Sequence, residues 1–166
     1  MSTILNKEES VQFLSKLGVP EGLIQVTAHG GGTLHETLFR LRPPHTIYAS
    51  QDTIPYKQLA VLFEKGRHAI AYDLIMRRYI RFDLAFPDTV ISCYKNVQNV
   101  LAEELTRLVA GGLPKTIFEK VSNLLGFKYT ELLWVHYINF ELIYLSDYKN
   151  WLDDLIMKID MHLKEK

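Results

Sequence analysis

At 166 residues and 19.2 kDa, with 48% hydrophobic and 23% charged residues, the chain has the mass for one domain with a full core and is short for two. Nineteen Lys and Arg balance nineteen Asp and Glu, which argues against the broad electrostatic footprint of a non-specific nucleic-acid or membrane-surface binder; a charged partner has to be met by a local patch. The lone Cys93 excludes an intramolecular disulfide framework and any zinc site that needs two thiolates, and it fits a reducing, cytoplasmic setting.

The first twenty residues carry Lys7, Glu8, Glu9 and Lys16 among their apolar positions, which argues against a secretory or transit segment, and no charge-free apolar run reaches the roughly 18 residues of a membrane span. Val11, Leu14 and Leu17 recur on one helical face, Asn6 with Glu9 three residues on reads as a capping box, and Gly18 is a stop. Turn material at 18–22 leads to a segment that ends in Gly30-Gly31-Gly32, a mobile loop or a tight bend. From Thr33 to about Val90 the period is that of strands, broken by Pro43-Pro44, Pro55, Lys65-Gly66 and Pro87. Leu59 to Phe63 and Ala69 to Leu74 pair across a turn at Lys65-Gly66, and Tyr79 to Asp83 supplies a third strand. Connections this short force antiparallel pairing.

Past Asn96 the helical period returns. Val97, Leu101, Leu105 and Leu108 share one face, with Asn96 as the cap and Gly111-Gly112 as the stop. Pro114 starts a second stripe of Ile117, Val121, Leu124 and Leu125 that Gly126 ends. Residues 132–145 are apolar on nearly every side; periodicity leaves helix and strand open, and length favours helix. Ser146 or Asp147 caps a terminal helix whose Tyr148, Leu152, Leu155, Ile159 and Leu163 share a face. The expected fold is a single α+β domain over 1–166, with a mainly antiparallel central sheet at about 33–92 and an N-terminal and several C-terminal helices packed on it.

Motifs for chemistry stop short. His29-Gly-Gly-Gly32 has the letters of an oxyanion loop, but no serine sits in a G-x-S-x-G elbow. His35-Glu36 begins like a zincin helix, and Phe39 stands where the second histidine belongs. No phosphate-cradling glycine loop or metal-ligand spacing occurs, so neither cofactor nor metal is expected. Cys93, between apolar neighbours, reads as a small buried hydrophobe. Glu103-Glu104 and Asp153-Asp154 read as solvated helix faces, Trp151 as packing, and Met157 and Met161 as the edges of the terminal stripe.

The local charge pattern is richer at 77–83. Alternation along a strand puts Arg77, Tyr79, Arg81 and Asp83 on one face and Ile80 and Phe82 on the other. An exposed aromatic between two arginines suits a protein interface, and Arg77, Tyr79 and Arg81 are the expected partner-binding residues. The same face offers a base-stacking platform, so a nucleic-acid-binding module is the alternative; a small hydrolase around His29, His35 or Cys93 ranks below it.

The succession resembles the SUKH superfamily, which includes fungal cell-wall-synthesis regulators and bacterial immunity proteins that neutralise polymorphic toxins. The resemblance runs from Phe13 to Pro20 through Gly66 into Ala69-Ile-Ala-Tyr-Asp73 and the strand to Asp83, then Val90-Ile-Ser, Asn96, the helix from Val97 to Ala110, and Asp147 to Leu152. It lacks the Trp-Gly pair that many members carry near the first strands. It implies a non-enzymatic domain that binds a protein partner, a cognate toxin, in the cytoplasm of its producer, and it transfers no catalytic residue.

Overall fold

The computed structural model describes residues 3–29, 41–56, 58–139 and 145–165. The described residues hold six strands and seven α-helices, the expected α+β class with a mainly antiparallel sheet. Contacts divide the chain into two compact units, Met1–Asn96 and Val97–Lys166.

In the first unit, β1 (Thr3–Ile4) leads into α1 (Lys7–Lys16), whose capping box forms as the sequence predicts. The Asn6 side chain accepts from the Glu9 N–H, and the Glu9 carboxylate accepts from the Asn6 N–H, both at 2.9 Å. Gly18 then turns the chain at φ 86°, a conformation in which a side chain would be strained. A second helix, α2 (Glu21–His29), follows where only a turn and a loop are expected. Its β-branched residues and Gly22 weaken the helical signal, yet Leu23, Ile24, Val26 and Thr27 are buried, and that burial outweighs propensity. The glycine triplet and His35 lie outside the described residues.

Downstream come β2 (Leu41–Arg42), a one-turn helix α3 (Thr46–Ala49), a 3₁₀ turn (Gln51–Thr53), and the strands β3 (Gln58–Lys65), β4 (His68–Asp73), β5 (Arg78–Asp83) and β6 (Val90–Tyr94). Strands β2 to β6 fall in the expected sheet region at about 33–92, which between its strands also carries the helical turns at 46–49 and 51–53; residues 33–40 lie outside the described set. The strand order is β1-β3-β4-β5-β6 with β2 also on β3; among the described strands β1 and β3 pair parallel and the other pairs are antiparallel. Strand β3 carries a bulge at Leu62: Val61 faces Ala71, whereas Phe63 faces Ile70. The extra residue puts Glu64 on the same side as Leu59 and Val61 instead of opposite them. There Glu64 is fully buried, accepts the N–H groups of His45 and Ile47 at 3.0 and 2.9 Å, and pairs with Arg42 at 2.9 Å. It thus holds the segment whose Ile47 and Ile54 cover Leu59, Val61, Ala71, Ile80 and Phe82.

The second unit contains α4 (Val97–Ala110), α5 (Lys115–Leu124), α6 (Thr130–Ile138) and α7 (Leu145–Lys164). Gly112 and Gly126 end α4 and α5 at φ 90° and 73°, as their placement after the apolar stripes predicts. Gln98 pins the turn after α5, donating to the Gly126 carbonyl at 3.1 Å and accepting from the Lys128 N–H at 2.9 Å. The apolar run at 132–145 is helix through Ile138, and residues 140–144 lie outside the described set. Helix α7 starts two residues before Asp147 and buries Trp151, Leu152, Leu155 and Ile159.

Candidate functional site

Strand β5 does not present the expected face. Arg77 lies before the strand, exposed in the β4–β5 turn, while Tyr79 and Arg81 are only 3% and 2% exposed. Alternation of polar and apolar residues marks a half-exposed strand only when one face meets water, and β5 is an interior strand between β4 and β6 with both faces covered. The Tyr79 ring meets Tyr72 edge-on at 4.9 Å, and Tyr72 in turn meets Phe13 of α1 at 5.7 Å. Burial, with a smaller contribution from Tyr72, pushes the Tyr79 phenol well above its usual range. Arg81 is engaged within the protein. The accessible platform of Arg77, Tyr79 and Arg81 is therefore reduced to Arg77.

What the sheet does present are two turns at its opposite ends, each held by an aspartate that ends a strand. Asp73 closes β4, and its Oδ1 accepts the N–H groups of Ile75 and Met76 at 2.9 and 3.0 Å. Ile75 and Met76 are 59% and 55% exposed, and Arg77 after them adopts φ 52°. Asp83 closes β5 in the same manner, accepting the Ala85 N–H at 2.8 Å. The Arg67 guanidinium pairs with Asp83 at 2.6 Å and lies over the Phe86 ring at 5.8 Å, and Phe86 is 63% exposed. Burial would raise the Asp83 carboxyl, but the N–H groups of Ala85 and Phe86 and the Arg67 charge outweigh it and hold the group below the ordinary carboxylate range. Between the two ends runs β6, last in the strand order, with Val90, Ile91 and Cys93 exposed. A bulge at Ile91 breaks its register with β5, which blunts an edge against indiscriminate pairing. Alternation does not find Ile75, Met76 or Phe86; the local signal is an Asp two or three residues before each.

A second cluster sits where α6 and α7 meet. His136 stacks on Trp151 at 4.8 Å; its Nε2–H donates to the Trp151 carbonyl at 3.1 Å, and the Trp151 indole N–H donates to the His136 carbonyl at 3.1 Å. That tautomer leaves Nδ1 to accept from the Lys158 ammonium at 3.3 Å, and Lys158 also pairs with Asp154 at 2.9 Å. The Lys158 hydrogen bond, ahead of opposing burial, holds the Asp154 carboxyl below its usual range. Asp147 and Asn150 complete an open depression of about 210 Å³, below the 300–1,000 Å³ usual for small-molecule pockets. Through these hydrogen bonds the cluster ties α6 to α7. Trp151 is core, as expected.

The remaining candidates are dispersed. His29 is exposed at the end of α2, and Cys93 is exposed on β6 instead of buried, because β6 borders the sheet. Glu103 and Glu104 are buried, not solvated, and Glu103 pairs with Arg107 at 3.1 Å. Asp153 is exposed, and Met157 and Met161 are exposed on α7. Among the described residues no group of three His, Cys, Asp or Glu side chains is placed to hold a metal ion, and no helix is long and apolar enough to cross a membrane. No family model, curated protein or solved structure matches the chain.

Proposed function

We propose that this protein is a non-enzymatic binding domain that neutralises a protein partner by direct contact, in the manner of the SUKH-type immunity proteins it resembles, and that the partner is a toxin met in the cytoplasm of the producing cell. The order of its elements supports the reading: an N-terminal helix, a meander from β3 to β6, then helices. One observation carries it. Three large apolar side chains, Ile75, Met76 and Phe86, stand more than half exposed on turns that aspartates hold rigid. A turn backbone already held by hydrogen bonds has less conformational entropy to lose on docking, and a few apolar anchors supply most of the affinity of an interface of roughly 1,200–2,000 Å².

The test is affinity purification from producer cells with the full chain and with a triple variant, Ile75→Ser, Met76→Ser and Phe86→Ser. The wild type retains one protein in stoichiometric amount and the variant loses it, with circular dichroism and Tm preserved. Recovery of no stoichiometric partner, or turnover of an ester, phosphoester or peptide substrate by the purified protein, overturns the reading.

A further inference from the structure

The β4–β5 turn carries a feature that holding its own shape does not require. Arg77 is the sole non-glycine residue with positive φ among the described residues, at 52°, in the last loop position before β5, where a side chain is strained and glycine or asparagine is usual. Strain of this kind persists where the side chain serves another purpose, and the inference runs from the outlier to the role. Arg77 is exposed, and among the described residues no carboxylate pairs with its guanidinium. The nearest acid in sequence, Asp73, is 7% exposed and directs its Oδ1 to the backbone of Ile75 and Met76.

Resting on the protein-binding reading above, we propose that the Ile75–Met76–Arg77 turn is the anchor for a protein surface that offers an apolar pocket with Asp or Glu at its rim. Two neighbouring apolar side chains enter the pocket, and the guanidinium, on a side chain whose departure from the backbone is set by the left-handed conformation, takes a rim carboxylate through paired N–H donors. Arg78, the next residue, adds a second positive charge at the base of the turn. Charge complementarity selects the partner: the turn is basic in a chain whose formal charge is zero. An acidic protein fits this chemistry better than nucleic acid, because the aromatic ring that would stack on a base, Tyr79, is buried.

Arg77→Gly separates fold from function. Glycine relieves the backbone strain, so Tm stays level or rises, whereas a purely structural arginine would make Tm fall. The full-length protein is panned against a displayed library of small helical-bundle scaffolds with randomised faces, with Arg77→Gly as the counter-selection. Clones that depend on Arg77 should carry Asp or Glu around Leu, Phe or Trp, lose at least about tenfold in affinity for Arg77→Gly and for Met76→Ser, and weaken as salt rises. Clones that bind wild type and Arg77→Gly equally, or turn-dependent clones without acidic residues, overturn the proposal. So does turn-dependent binding to phosphatidylserine vesicles or duplex DNA. A stoichiometric partner from producer cells that Arg77→Gly does not weaken removes this anchor and leaves the protein-binding reading in place.

Discussion

The two ends of the sheet use one device to different effect. At each, the last residue of a strand is an aspartate that accepts following backbone N–H groups and so fixes a turn that carries exposed apolar side chains. At the Asp83 end the charges are closed within the protein, because Arg67 pairs with the carboxylate and covers one side of Phe86. At the Asp73 end the carboxylate accepts the N–H groups of Ile75 and Met76, among the described residues it pairs with no cation, and Arg77 is exposed on a left-handed backbone. A turn that answers its own charges needs no partner to be stable. A turn that leaves a guanidinium beside two exposed apolar side chains is the one the proposed partner would answer.

Both turns depend on the sheet that joins them, so the largest expected effect comes from breaking the sheet's own anchor. Glu64→Ala removes two charge-assisted hydrogen bonds to the 45–47 backbone and an ion pair with Arg42, which is 42% exposed and so adds little. A loss of about 2–4 kcal/mol is expected, read as a fall in the urea midpoint, and amide exchange should quicken at both ends of the sheet. Asp73→Ala separates the ends: about 1–2 kcal/mol is lost, the Ile75 and Met76 amides exchange faster, and the Ala85 amide does not change. If Ala85 responds equally, the two turns are one cooperative unit and the comparison fails.

How much of this is readable in advance follows the range of the interactions involved. The capping box of Asn6 and Glu9, the stops at Gly18, Gly112 and Gly126 and the hairpin at Lys65-Gly66 are decided within a few residues, and the sequence predicts them in place. The burial of Tyr79 and Arg81 is decided by what covers the sheet, residues as remote as Phe13 included, so an alternating pattern suggests an exposed face that does not exist. The bulge at Leu62 inserts a single residue and redirects Glu64, and no alternation rule anticipates it. The one-turn helix at 46–49 starts where Glu64 accepts the His45 and Ile47 N–H groups from across the fold, a long-range contact that local β-propensity cannot register. Of the candidate site, Arg77 alone is legible by name. Its neighbours Ile75 and Met76 are hidden, since turn residues belong to no periodic pattern.

The smallest effect distinguishes the ends by acid. Asp83 is held below the ordinary carboxylate range, so its folded-state pKa lies under the unfolded value near 3.9. A depressed pKa means that the folded state favours the charged form; the stabilisation is therefore complete above the unfolded pKa and disappears as pH falls through the folded one. In urea titrations, wild type should exceed Asp83→Asn by a constant margin from pH 7 to about pH 5; the margin should narrow as pH falls past the unfolded value and vanish below the folded-state one. Because much of that margin comes from an exposed guanidinium, it should also shrink in high salt, and Arg67→Met should remove the salt-sensitive part while leaving the backbone hydrogen bond of Ala85. A margin that persists unchanged to about pH 3 would mean that Asp83 works there by shape and hydrogen bonding without its charge. The Asp83 turn would then be no more charge-closed than the Asp73 turn, and Arg77 would lose its distinction.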